Sequence, residues 1–562
     1  MTTEAGAWAA RAPARTDDDD DMDIVASRTV RDLWEEAART HRDRTFLVEE
    51  DRAGRVRELT YGESAARIAQ TAHLFRSLGV RRGDAVAVHL GNGAELLECL
   101  FGLASIGAVT VPLHPRSTAD ECRRTIERVA ARLVVAEPGV RPAAGYGDGR
   151  RVLLARTWTG DPGDPGARPG GEDGADGDGG TLDYARARDA QPTTLPEDDA
   201  TSPEDVACIV FTSGSTAVAK GVELTHANLL FSGRYVTWQA ALTPADRLAT
   251  TMPACHVNFL LNALLPVVTA GAALVSIETY SASRFWSQVR RHDATVVQAI
   301  AMIVRTLLLQ PPTPGDRDHR VREVLYYLPI TDEQKQTFER RFGARVLNSY
   351  GTSETLVGVL TDPPTGERRW PSVGRVGPGY QARVVTDDGR EAAPGEPGEI
   401  QVRGVPGRTL MRGYAGDPEA TAAVLDPDGW FRTGDIGTVD ADGWFFFLDR
   451  RSAFIKRAGE NVSPAEVEAV LQQHPEVAEA SVVGRPHPVL DEVVTAVVVP
   501  VPGARPTADE LRRFCADRLA DFKVPASVEV VDRLPRTPTY KIARHDLSVR
   551  PPGRVAPTQI GR

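Results

Sequence analysis

Lysine is almost missing from this chain. Its 562 residues hold 66 lysines and arginines, and only five are lysine: Lys220, Lys335, Lys456, Lys523 and Lys541. The bias runs alongside abundant Ala, Gly, Asp and Pro, as in GC-rich coding. Against such a background an ordinary surface cation is arginine. A surviving lysine is then a candidate for work that a compact ammonium does and a planar guanidinium does not. Cysteine is scarce too, with five residues and no CxxC or other ligand-like spacing. That argues against a disulfide scaffold or a cysteine-rich metal module, and fits reduced, structural thiols in a cytoplasmic protein. Basic charge is not in excess: 77 acids outnumber the bases and the formal net charge is −11, which argues against a general nucleic-acid binder. The start of the chain lacks the apolar segment of a signal peptide. Long hydrophobic runs are lacking as well. The uncharged stretch from Val257 to Ile277 contains Asn258, Asn262, Pro266 and Gly271. It reads as a buried helix and a buried strand, not an integral membrane segment.

What is present is globular: 41% of residues are hydrophobic, and the length calls for at least two domains. Residues 1–28 read as a disordered acidic tail containing the run Asp17 to Asp21. From Thr29 onward, helical patterns alternate with short β-rich runs such as Ala85 to His89, which predicts βα units. Residues 157–205, rich in Gly, Asp and Pro, read as a flexible insertion. A buried strand is predicted at Val206 to Phe211. After about Tyr350 the chain becomes strand-rich, with hairpin turns at Asp388-Gly389 and Asp442-Gly443. Helices are predicted to begin at Thr331-Asp-Glu-Gln334 and Ser463-Pro-Ala-Glu466, each with capping-box spacing. Lys335 reads as a solvated residue on the first of these. Residues 550–562 read as a loose tail.

Five segments carry chemistry. Phe211-Thr-Ser-Gly-Ser-Thr-Ala-Val-Ala-Lys-Gly221 follows the buried strand. Its hydroxyls, glycine, backbone N–H groups and lysine suit a phosphate cradle. It is not a Walker motif, because Gly221 follows the lysine. Asn348-Ser-Tyr-Gly-Thr-Ser-Glu354 places a carboxylate where Mg²⁺ can sit beside phosphates. The others are Gly429 to Asp435, Asp449 to Pro464, and Pro535 to Arg544. Each alone could be a turn or a charged loop; their order and spacing together are very hard to obtain by chance.

Together they resemble the adenylate-forming superfamily of acyl-CoA synthetases, adenylation domains and luciferases, over about Thr29 to Leu547. Met252-Pro-Ala-Cys-His256, Arg369 to Arg375, Val405 to Arg408 and Tyr326 to Ile330 resemble the crotonobetaine/carnitine–CoA ligase group in particular. The resemblance implies an α/β fold: a large N-terminal domain of βα sheets with a small β-barrel subdomain (29–449), and a small mobile α+β domain (450–549). It implies activation of a carboxylic acid with ATP and Mg²⁺ to an acyl-adenylate, then transfer to the thiol of CoA or of a carrier protein. Thr212, Ser213, Gly214, Ser215, Thr216 and Lys220 match the triphosphate loop. Ser349, Tyr350 and Gly351 match the adenine wall, with Thr352 and Ser353 beside it. Glu354 matches the Mg²⁺ carboxylate, Asp435 the ribose acid and Arg450 its partner. Lys541 matches the lysine of the adenylation step and Lys456 the lysine of the thiol step. Gly459 matches a glycine beside the pantetheine tunnel, and His256 a gate near the acyl site. Lys523 matches a segment taken as mainly structural. The hinge falls near Ser452.

Some positions depart from the family pattern. Ala217 and Ala219 stand where Gly and Pro are usual, and Tyr540 where Gly usually precedes the adenylation lysine. Ser452 replaces Asp or Lys at the hinge, and Ser353 replaces Thr. No acid stands near Asn258 to hold an α-ammonium, which argues against an amino-acid substrate. Trp238, Tyr326 and Tyr327 are candidates for an aromatic acyl pocket, suited to an aryl acid or a quaternary ammonium. The leading expectation is an AMP-forming ligase of a small-to-medium acid and CoA. Two alternatives stand beside it: a diazotase-type enzyme of natural-product biosynthesis that activates nitrite and acts on an aryl amine, and a non-catalytic nucleotide-binding relative.

Overall fold

A computed structural model describes residues 25–138, 146, 152–155, 181–197, 200–212, 219–327, 330–450, 455–535 and 547. The side chains of Thr181, Asp449, Arg450 and Ala465 lie outside this description.

The helical pattern expected from Thr29 begins with a helix. Thr29 caps the helix Val30–Thr40 in a reciprocal capping box with Asp32, and Trp34 is driven into the core. The chain then builds two large sheets. The central strands of one are Thr45–Glu50, Ala273–Ile277, Arg247–Thr250, Val296–Ile300, Glu323–Tyr327 and Arg345–Tyr350, parallel in register. The other is centred on the parallel strands Ala85–His89, Val109–Pro112 and Leu133–Ala136, with Val206–Thr212 beside them. Fully buried runs such as Ala85–His89 and Val296–Ile300 are what parallel strands covered on both faces require. The strands Gln381–Val385, Gly398–Arg403, Trp430–Val439 and Phe445–Arg450 form a smaller antiparallel sheet.

From Ile455 a second, separate core begins. Ile455, Val467, Leu471, Val482, Val494 and Leu511 pack together. They come from the long hairpin Val477–His487 and Asp491–Pro500 and the helices Pro464–Leu471 and Ala508–Ala516. This is the large-plus-small α/β organisation expected.

Three local readings are refined. The Val257 to Ile277 stretch is helical, then a buried strand, but Leu260–Leu264 winds as a π-helix. No helix among the described residues is long and apolar enough to cross a membrane. The flexible-insertion reading of 157–205 fails at its C-terminal part. Thr181–Asp183 forms a strand and Tyr184–Asp189 a helix. Tyr184 is fully buried, its hydroxyl donating to Glu98 Oε2 at 2.9 Å, and Arg188 donates to the same oxygen at 2.7 Å. A buried carboxylate needs such partners, and composition gave no sign of them. Residues 156–180 lie outside the described set. Lys335 is also less solvated than expected: it pairs with Glu339 at 2.8 Å and is 20% exposed.

Candidate active site

A cavity of about 790 Å³ opens at the C-terminal ends of the strands Glu323–Tyr327 and Arg345–Tyr350. Ligands in open α/β sheets bind at such strand ends, because loops there can converge without breaking the ladder. Ser349, Tyr350, Gly351, Thr352, Ser353 and Glu354 line it. Gly351 has no room for a side chain: a Cβ there would stand 2.0 Å from the Val357 carbonyl oxygen. The Thr352 N–H donates to Thr355 Oγ1 at 2.8 Å, fixing the turn.

Glu354 Oε1 accepts from the Tyr414 hydroxyl at 2.9 Å, and Lys220 Nζ lies 4.7 Å over the same tyrosine ring. Tyr414 thus joins two segments more than a hundred residues apart in sequence, and no motif pointed to it. Lys220 opens the strand Lys220–Thr225, whose register sets it opposite Thr212. Both line the cavity. Ser213, Gly214, Ser215 and Thr216 lie outside the described residues, as do Ala217 and Tyr540.

Asp435 enters from the antiparallel sheet. It is buried and accepts from the Tyr350 hydroxyl at 2.6 Å. The backbone register pairs Asp435 with Arg450. Lys456 comes from the small domain and lines the same cavity, its Nζ 4.9 Å over the Phe447 ring. Lys541 lies outside the described residues. Gly459, at φ +88°, faces Ile300 of the large domain; a Cβ there would stand 2.5 Å from Ile300 Cδ1. Of the three aromatic candidates for the acyl pocket, Tyr327 lines this cavity. Tyr326 is fully buried in the core, and Trp238 packs edge-on against Tyr235.

His256 does not line this cavity. Its Nε2 is 3.0 Å from Oε2 of Glu460, and His114 Nε2 is 3.2 Å from Oε1 of the same carboxylate. Burial raises the Glu460 pKa, but His256 and His114 more than offset it and hold the group well below the usual carboxylate range. Burial lowers the pKa of His256, and Glu460 brings it above its ordinary value. His114, Cys255 and His256 present donor atoms within 4.8 Å of one another, a spacing a metal could use. The hydrogen bonds speak otherwise. The Arg116 N–H donates to His114 Nδ1 at 3.1 Å, so the His114 proton sits on Nε2 and points at Glu460. The cluster is a hydrogen-bonded contact between the domains.

Residues 34–415 match the family of AMP-binding enzymes, and residues 466–541 match the AMP-binding enzyme C-terminal domain. The chain belongs to this family, the adenylate-forming ligases. Within it, the chain is similar to crotonobetaine/carnitine–CoA ligase of Salmonella agona, 41% identical over 535 residues covering 94% of this chain and 100% of that protein. Among solved structures it is similar to o-succinylbenzoate CoA synthetase from Bacillus subtilis bound to a product analogue. The TM-score is 0.79 at 27% identity, over 93% of this chain and 99% of that one. It is also similar to ATP-bound MatB from Rhodopseudomonas palustris, with a TM-score of 0.64 at 26% identity, over 93% and 98%.

Proposed function

We propose that this enzyme joins a small-to-medium carboxylic acid to CoA in two steps at the described cavity. In the first, a carboxylate oxygen attacks the α-phosphorus of ATP, and the bond to pyrophosphate breaks. In the second, the thiol sulfur of CoA attacks the acyl carbon and AMP leaves. The observation that carries the reading is the meeting of Thr212, Lys220, Glu354 and Asp435 from the large domain with Lys456 from the small one.

Each residue has a part that its chemistry suits. Ser213 to Thr216 of the phosphate loop and Lys220 would donate to phosphate oxygens. Asp435, buried and acceptor-only, takes the ribose hydroxyls, with Arg450 beside it. Glu354 suits Mg²⁺: it is a hard oxygen donor, and Oε2 has no hydrogen-bond partner among the described residues. Bound there, the cation would neutralise phosphate charge. Lys541 would stabilise charge developing on the α-phosphate and bridging oxygen. Lys456 would serve the thiol step, and Gly459 would leave room for the pantetheine arm beside Ile300. Lys456 on the cavity and Gly459 against Ile300 support reading this domain orientation as that of the second step. The similarity at 41% identity makes a quaternary-ammonium acid the first candidate. The similarities give the nitrite and carrier-protein readings no support.

The test is a product assay with ATP, Mg²⁺ and crotonobetaine, carnitine, benzoate or o-succinylbenzoate, with CoA or with nitrite plus an aryl amine. Acyl-CoA and AMP are expected together. AMP release that needs nitrite and amine but not CoA would overturn the reading.

A further inference from the structure

Among the described residues, Lys523 is the one lysine of the family segments that does not line the cavity. It follows the helix Ala508–Ala516 and precedes the strand Ser527–Val530. Its ammonium donates to two carboxylates, Glu121 Oε1 at 2.7 Å and Glu466 Oε1 at 3.0 Å. Glu466 belongs to the small domain. Glu121 belongs to the large one, 402 positions away in sequence. The three side chains are only 14%, 8% and 12% exposed. Three charges so far from water are tolerated only while they are paired.

The two carboxylates are held differently. Glu121 stands at the third position of the helix Ala119–Arg128, where Oε2 accepts from the Thr118 N–H at 2.8 Å. The cap aims the remaining oxygen, Oε1, at Lys523. Glu466 has the same spacing from Ser463, yet its carboxylate does not close the reciprocal cap that the sequence spells. It turns to Lys523 instead, while the Ser463 hydroxyl still accepts from the Glu466 N–H. A cap was given up for this contact. Burial lowers the Lys523 pKa, and Glu466 and Glu121 raise it above its ordinary value. When the small domain turns away, Lys523 keeps Glu466 and loses Glu121. Glu121 then keeps only its cap. The bridge therefore exists in one orientation only.

We infer that Lys523 is a positioning residue: the Glu121–Lys523–Glu466 bridge is a latch that holds the small domain where Lys456 and Gly459 meet the large domain. It thereby sets the rate of the thiol step without touching the reacting atoms. This rests on the two-step reading above for its consequence, but not for its geometry.

The test uses Glu121→Gln, which keeps the helix cap and the side-chain size and removes the charge. Lys523→Met removes the cation, and Lys523→Arg restores it. Spin labels on Arg340→Cys and Asp509→Cys report the distance between domains in the full chain; all five native cysteines are buried. The unmodified bridge is expected to give one narrow docked distance. Glu121→Gln and Lys523→Met are expected to cut the docked-to-undocked ratio about tenfold, and Lys523→Arg to recover most of it. In single turnovers with crotonobetaine, ATP and CoA as probes, the first release of pyrophosphate stays within about twofold while thioester formation falls about tenfold. A merely structural role would lower both rates and the melting temperature. An unchanged distance distribution in Glu121→Gln, or no docked distance with the bridge intact, would overturn the latch. The distance measurement needs no substrate, so it separates failure of the latch from failure of the ligase reading.

Discussion

The two domains hold their charged groups in opposite ways. In the large domain the site residues stand on strand ends and tight turns that a continuous apolar core fixes. Gly351 is pressed against the Val357 carbonyl, and Asp435 is bonded to Tyr350. The small domain has its own core, and the side-chain contacts described where it meets the large one are mainly polar: Lys523 with Glu121, Glu460 with His114 and His256, and Asp491 with Arg305. Arg116 adds a guanidinium stacked 4.9 Å over the Phe522 ring. The difference teaches how one protein can keep a phosphate site rigid and a second reaction's wall removable. Apolar burial is hard to undo, whereas ion pairs exchange for water at small net cost. Hinged domains that alternate need a contact of the second kind.

The largest expected break is in the cavity itself. Lys541→Ala should cut adenylate formation by about 10²–10³, the size lost when a preorganised transition-state partner is removed. It should leave thioester formation from supplied acyl-adenylate nearly intact. Lys456→Ala should do the reverse. Pyrophosphate release and single-turnover thioester formation measure the two arms. Equal losses in both assays from both variants would dissolve the division between the domains.

A smaller break tests the meeting of the domains at a single atom. Gly459 is at φ +88°, where a side chain costs about 1–2 kcal/mol in most residues. A Cβ would also push Cδ1 of the buried Ile300, the far end of its side chain. The strain is present in both domain orientations and the Ile300 contact in the docked one alone, so Gly459→Ala should slow thioester formation by about tenfold at most. Adenylate formation should change little. Loss of adenylate formation to the same degree would show that Gly459 matters to the fold and not to docking.

These contrasts track what could be read in the sequence. Residues of the large-domain site lie in short contiguous segments, and Lys220, Ser349 to Glu354 and Asp435 do reach one cavity. Capping boxes are equally local: Thr331 with Gln334 forms as spelled. The box at Ser463 forms only in half, because Lys523 competes for Glu466. The contacts between domains join residues hundreds of positions apart, His114 with Glu460 and Glu121 with Lys523. No periodicity or spacing marks such pairs. Tyr184 and Arg188 were hidden for another reason: they follow a stretch whose Gly/Asp/Pro content suggested that nothing nearby would be buried. The lysine count singled out Lys523 only as one of five, in a segment read as mainly structural, and gave no sign of Glu121 and Glu466 as its partners.

The smallest expected effect concerns pH. Glu460 accepts from His114 and His256, with Arg116 and Cys255 also facing it. The His256 pKa is raised, so its contribution to docking is fully present below its ordinary value of 6.5. That contribution is lost as pH rises through the raised value. The Glu460 pKa is depressed, so its contribution is present above the ordinary 4.5 and lost only as pH falls through the depressed value. Docking should be strongest between these limits and weaken on the alkaline side. The His256 side chain is 37% exposed, so water screens the pair and the change should be modest. The interdomain distance, followed by spin labels from pH 6.5 upward, should show the docked population decline in the native chain and stay flat in His256→Asn. A decline that persists in His256→Asn would assign the titration to another group and leave the Glu460 contact independent of pH.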